Sequence, residues 1–353
     1  MPSRQRADHS QKQREPPPRS KFACQRALHK RSLIMPLPKL LLPTLAMATL
    51  APLLLAPAAS AQNATGQNNT AMPSAAEQAA AKEKILREII AFEEQLGPDT
   101  WRQERFKLTP RKHEMVHINA NGRRLNAFVI YPEKATPPSP AKVPVVMLLP
   151  EDQGLNIWAR DMADQVAAMG VIVVVPDIIS GQGPNGGGRD SITNLRDVFL
   201  THFGMAGKDT QMSADLNVWA DYAKALPQAN GKLAVLGFAW GAGRGMYFAL
   251  QRHDLSAVYA FYDAAPPPEM LGTITAPLYG FYAQNDARPT RSLPATIAAM
   301  KALGKTYEPV IYPNSDHMFM RLGEEPREKN PGNAIARAAA LLRLRELLGR
   351  LID

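Results

Sequence analysis

Lys232-Leu233-Ala234-Val235-Leu236-Gly237-Phe238-Ala239-Trp240-Gly241-Ala242-Gly243 is the stretch that decides the fold. Its first half is a short, continuous apolar run, as expected of a strand buried on both faces. Its second half puts glycines two before and two after Ala239, and a helix is expected from about Gly241. A strand that turns this sharply into a helix leaves room only for small flanking residues and pushes the central side chain out over the sheet. That is the geometry of a nucleophile elbow, G-x-Nu-x-G.

Working outward, strands and helices alternate. Val145 to Leu149 and Val171 to Val175 are further apolar strands, the second ending at Pro176-Asp177. Residues 156–169 and 211–226 have helical periodicity. Ala257 to Tyr262, Leu278 to Ala283 and Glu308 to Tyr312 supply three more strands, and a last helix runs from about Asn333 to Leu351. In front of this series, His113 to Ile118 and Arg123 to Tyr131 alternate apolar and polar residues around Asn121-Gly122, the mark of an antiparallel hairpin. The expected architecture is α/β: a mostly parallel, doubly wound sheet with an N-terminal antiparallel hairpin.

The chain has 353 residues and a formal charge of +9. Residues 1–61 hold ten Lys/Arg against two Asp/Glu, which leaves 31 against 30 and a net charge of +1 for the rest. The basic excess is therefore no nucleic-acid footprint. Lys39 precedes an uncharged apolar run, Leu40 to Leu55, which closes with Ala59-Ser60-Ala61 before Gln62. This reads as a cleavable export signal, with Met35 as a more natural start than Met1. The run is short for a membrane anchor and contains two prolines, so no span is expected after cleavage. The product would be periplasmic or secreted. Cys24 is the sole cysteine and precedes the run, so disulfides, Cys-ligated zinc and a thiolate nucleophile are excluded from a mature chain.

Residues 62–76 are rich in Asn, Gln, Ala, Thr and Ser and read as a tether. Residues 77–111 form a helical extension. Its helix, opened by a Ser74–Glu77 capping box and closed by Gly97-Pro98, either packs on its own domain or presents a partner surface. The main domain spans residues 112–353. Glycines 186–188 lack the spacing of a phosphate cradle and read as a flexible loop bordering the pocket. No HExxH, paired histidine or EF-hand pattern is present, so neither metal nor cofactor is expected.

In a doubly wound sheet, chemistry collects at the carboxyl ends of the strands. Those ends carry Pro150-Glu151-Asp152-Gln153-Gly154, the elbow, Gln284-Asn285-Asp286 and Asn314-Ser315-Asp316-His317. Nucleophile position, acid and histidine thus come in the order Ala239, Asp286, His317. From about residue 113 to 350 the chain resembles the dienelactone hydrolase family of the α/β-hydrolase fold. The family's elbow reads G-[YF]-C-x-G-G where this chain has Gly-Phe-Ala-Trp-Gly-Ala-Gly. The resemblance implies a hydrolase of small esters or lactones, with Asp286 and His317 as acid and base. It also implies that the backbone amides of Trp240 and Asp152 form an oxyanion hole, and that Glu151 and Arg321 meet the substrate, Arg321 through its carboxylate. The departure is Ala239: a methyl group cannot attack a carbonyl. Ser315 is close to His317 in sequence but belongs to the histidine loop, not the elbow. Two readings follow, a hydrolase-family protein without its nucleophile and a binding protein that holds a small carboxylate. A third is a structural partner protein using the 77–96 helix.

Overall fold

The computed structural model describes residues 74–205 and 208–352. The export segment and nearly all of the tether, including the start and cleavage positions, lie outside the described residues. Asn121 and Gly122 both take positive φ, 53° and 73°, and join β1 (His113–Ala120) to β2 (Arg123–Ile130). Positive φ at both central residues matches the turn twist to the strand twist, which is why Asn-Gly marks hairpins.

The remaining strands are β3 (Val143–Leu149), β4 (Ile172–Pro176), β5 (Ala229–Phe238), β6 (Ala257–Phe261), β7 (Leu278–Ala283) and β8 (Tyr307–Tyr312). They form one eight-stranded sheet in the order β1-β2-β4-β3-β5-β6-β7-β8. β2 runs antiparallel to both β1 and β4, and the other pairings are parallel. This is the α/β fold expected from the sequence.

The period-2 geometry of β3 sends Val145, Met147 and Leu149 to one core and Val146 and Leu148 to the other. The helices are α1 (Ala75–Leu96), α2 (Thr100–Lys107), α3 (Ile157–Ala167), α4 (Leu195–Phe203), α5 (Asp209–Ala225), α6 (Trp240–Ala249), α7 (Ala287–Ala302), α8 (Phe319–Leu322) and α9 (Pro331–Ile352). Met212, Leu216 and Trp219 of α5 and Met246 of α6 fill the first core; Trp158 and Met162 of α3 and Leu344 and Leu348 of α9 fill the second.

The N-terminal extension packs on its own domain. Leu86 and Ile89, 0% and 3% exposed, recur at helical spacing on α1 and meet Phe199 of α4. Arg196 of α4 reaches Glu83 of α1 with both Nη atoms. α2 is mostly polar; Phe106 packs on Phe128 and the second core, and its buried charges are paired. Its fully buried Arg102 donates to Asp99, Glu324 and Glu325, and Arg105 donates to Asp161 and Glu324.

The glycine-rich loop is hydrogen-bonded to the strand ends beside it. Asp177 accepts the Arg189 N–H at 2.7 Å, and Arg189 Nε donates to the Gln153 carbonyl at 2.9 Å. A Cβ on Gly188 would lie 1.9 Å from the Asp177 carboxylate, so only glycine fits there. Among the described residues no helix is long and apolar enough to cross a membrane, and no group of three His, Cys, Asp or Glu is placed to hold a metal ion.

Candidate active site

The elbow is tight enough to explain its glycines. A Cβ on Gly237 would come 2.4 Å from the Gly241 carbonyl, and one on Gly241 would come 2.2 Å from the Leu149 carbonyl and 2.4 Å from that of Pro150. The turn is thus pressed against the end of β3, and Glu151 is the next residue of that strand end. Ala239 sits at φ 45°, ψ −122°, a strained conformation for a residue with a Cβ, and its N–H donates to the Phe261 carbonyl at 3.0 Å. Trp240 opens α6, so its amide belongs to the first turn, where N–H groups have no intrahelical partner and the helix dipole is positive.

Asp286 and His317 are brought together. Asp286 stands at the N-cap of α7, yet its side chain makes no capping bond; His317 Nδ1 meets its Oδ2 at 2.6 Å instead. Burial pushes the imidazolium pKa down, but the hydrogen bond to Asp286 and its charge together outweigh burial and raise it above the ordinary value. With Nδ1–H donated to the carboxylate, Nε2 is the basic nitrogen of the neutral ring. The two loops are tied to each other: Asn285 N–H donates to the Ser315 carbonyl at 2.9 Å, and Asn285 Nδ2 to Asp316 at 2.8 Å. Ser315 is fully buried, and its hydroxyl donates to the Tyr312 carbonyl at 2.8 Å, so it is turned into the loop.

Glu151 is 4% exposed, and Tyr262 Oη donates to it at 2.7 Å. Burial pushes its carboxyl up to about 7, against the opposing charge of Arg321 and the Tyr262 bond. Tyr262 follows β6 at φ 43°, and its ring meets the His317 ring edge-on with centroids 5.2 Å apart. Burial, then the neighbouring Glu151, holds its phenol well above the ordinary range. Tyr262 is the residue at the carboxyl end of β6, the strand next to the elbow strand, and is not among the residues expected from the sequence.

Asp152 is only partly buried, but low solvation raises its carboxyl to about 6, helped by the nearby Glu93 charge. That carboxylate also draws on the Asp152 backbone N–H, the amide the resemblance gives to an oxyanion hole.

Arg321 is 3% exposed and offers no free Nη to a substrate carboxylate: Glu93 of α1 takes both, at 2.7 and 2.5 Å. Burial opposes the guanidinium charge, but Glu93 raises its pKa further above its already high value. Glu93 is not among the expected site residues, although it carries a signal in the sequence: an acid on the same helix face as Leu86 and Ile89. A pocket of about 410 Å³ lies beside this pair, lined by Glu93, Asp99, Gln153, Leu195 and Arg321 among others; neither Ala239 nor His317 lines it.

Residues 130–352 match the dienelactone hydrolase family. The chain belongs to that family. The match includes the elbow, Glu151, Asp286, His317 and Arg321 and excludes α1 with Glu93. Proteins of Yersinia pestis and Escherichia coli K12 that carry the name carboxymethylenebutenolidase are 24% and 25% identical, over 57% of this chain and 76% and 75% of theirs. A dienelactone hydrolase-like promiscuous phosphotriesterase from metagenomic libraries superposes with TM-score 0.56 at 18% identity, covering 69% of this chain and 99% of that one. A Klebsiella pneumoniae structure named for dienelactone hydrolase does so with TM-score 0.55 at 20% identity, covering 66% and 98%. At these identities the structural likeness establishes the fold alone, while the family match makes the chain hydrolase-like.

Proposed function

We propose that this chain is an exported dienelactone hydrolase family protein that binds small esters or lactones at the elbow without covalent turnover. The observation that carries the reading is Ala239 itself, a methyl held in the strained elbow conformation at the carboxyl edge that also bears the Asp286–His317 pair. A base and its orienter are useful only with something to deprotonate. With no hydroxyl or thiol at 239, what they can act on is a water. An oxyanion hole and binding alone leave a residual rate on the order of 10³–10⁴ over water in proteases stripped of their triad.

The reading is tested with p-nitrophenyl acetate on the wild type, Ala239→Cys and Ala239→Ser. The wild type is expected to be nearly inert, and Ala239→Cys faster than Ala239→Ser because its thiolate is partly present near neutral pH. His317→Ala added to Ala239→Cys should remove most of the gain. Wild-type turnover in the ordinary enzyme range of about 1–10³ per second would overturn the proposal. The alternative, a protein that holds a free carboxylate on Arg321, would require Glu93 to leave that arginine.

A further inference from the structure

We propose that Glu93 is a resident carboxylate ligand: from outside the family's matched region it occupies an anion subsite on Arg321 and sets the adjoining pocket against free carboxylates. The inference goes beyond the elbow and does not depend on whether Ala239 supports turnover.

The geometry is that of bound ligand and receptor. Two Nη–Oε bonds of 2.7 and 2.5 Å form the parallel fork by which arginine recognises a carboxylate. The arginine lies in the family region, at residue 321 of the matched 130–352, and the carboxylate comes from a helix 228 residues earlier. Both partners line the same pocket, so the fork opens on a space of about 410 Å³.

Two donors in that wall are left over. Arg321 Nε is buried without a partner. Gln153 is 7% exposed; its Oε1 accepts from Asn156 at 3.1 Å, which leaves its buried Nε2 with no partner. Unsatisfied buried donors are costly and call for an acceptor. Asp99, the other inner acid of the wall, is already taken by Arg102. With Glu93 removed, the wall would present a guanidinium and an amide, a setting for a planar carboxylate larger than the acid it replaces. With Glu93 in place, a second carboxylate would face an occupied cation and a like charge.

The test is a thermal-shift and calorimetric titration of the full chain with acetate, benzoate and neutral benzamide, in wild type, Glu93→Ala and Glu93→Ala/Arg321→Met. Benzoate is expected to raise the Tm of Glu93→Ala and to bind it at least ~10-fold more tightly than wild type, the loss of one charged fork being worth about that factor or more. Benzamide should shift neither protein, and the double variant should lose the benzoate response. Equal benzoate binding by the wild type would overturn the proposal, as would a gain that survives the loss of Arg321. Rescue of Glu93→Ala by acetate alone would also overturn it, since a closed internal ion pair leaves only an acid-sized gap. Glu93→Ser, which also empties the subsite, is read in the same way if Glu93→Ala does not fold; no gain of benzoate binding in it refutes the idea.

Discussion

Non-glycine residues at positive φ cost on the order of 1–3 kcal/mol where the surroundings force them, and Ala239 and Tyr262 carry this strain at the ends of neighbouring strands. Tyr262 spends it on reaching Glu151, while Ala239 keeps the elbow shape without an attacking atom. Glu151 makes the balance of this site measurable. Its folded pKa of about 7 lies above the ordinary 4.5 because burial penalises the anion. Between those values the folded state holds a proton that the unfolded state has released. The Glu151 contribution to stability is therefore greatest below pH 4.5 and falls by about 3 kcal/mol as pH rises to 7. Glu151→Gln, which keeps an acceptor for Tyr262, should match wild type in urea unfolding at pH 4 and exceed it at pH 8. An identical pH dependence in both proteins would mean Glu151 is solvated. His317 shifts for a different reason: Asp286 stabilises its charged form. Asp286→Asn should lower the His317 titration midpoint followed by imidazole proton NMR, and an unchanged midpoint would separate the pair. Asp286 and His317 were legible as a pair because both follow strands of obvious apolar character. The engagement of Ser315 with a loop carbonyl was not, because it depends on a loop conformation that residue order does not encode.

Among the elements, the strands were legible and four helices were not. α2 lacks an apolar stripe: one aromatic, Phe106, meets the core, and ion pairs to Asp161, Glu324 and Glu325 fix the rest. α4 places Phe199 against α1, more than a hundred residues earlier, so its apolar face has meaning only in the folded chain. α7 carries Pro294 inside a helical span, which removes a donor and obscures the pattern. α8 is one turn of four residues. The docking of α2 can be tested at Arg102, which is fully buried among three carboxylates. Arg102→Met leaves Asp99 and Glu325 without that cation and should cost roughly 3–5 kcal/mol in urea unfolding. A loss under about 1 kcal/mol, the range of exposed pairs, would show that α2 is held by other contacts.

For the whole molecule, the basic excess is concentrated ahead of residue 62. If Ala59-Ser60-Ala61 is cut, the protein begins at Gln62 and sheds nearly all of its net positive charge. N-terminal sequencing of the protein from the cell envelope should read Gln-Asn-Ala-Thr; a terminus upstream of Pro52, or a protein confined to the cytosol, would refute export. By itself the sequence determined the α/β order, the position of the elbow, the alanine at its tip and the succession of Asp286 and His317. Each of these is written in local patterns: apolar runs for strands, glycines for a tight turn, and polar residues just past a strand end. Only the tertiary structure decided what Arg321 and Glu151 touch. Glu93 reaches Arg321 across 228 residues, and Tyr262 reaches Glu151 across 111. Local periodicity reports that a side chain is buried, but a buried charge or hydroxyl is defined by its partner. That partner is set by how two distant elements pack to within a hydrogen bond's length.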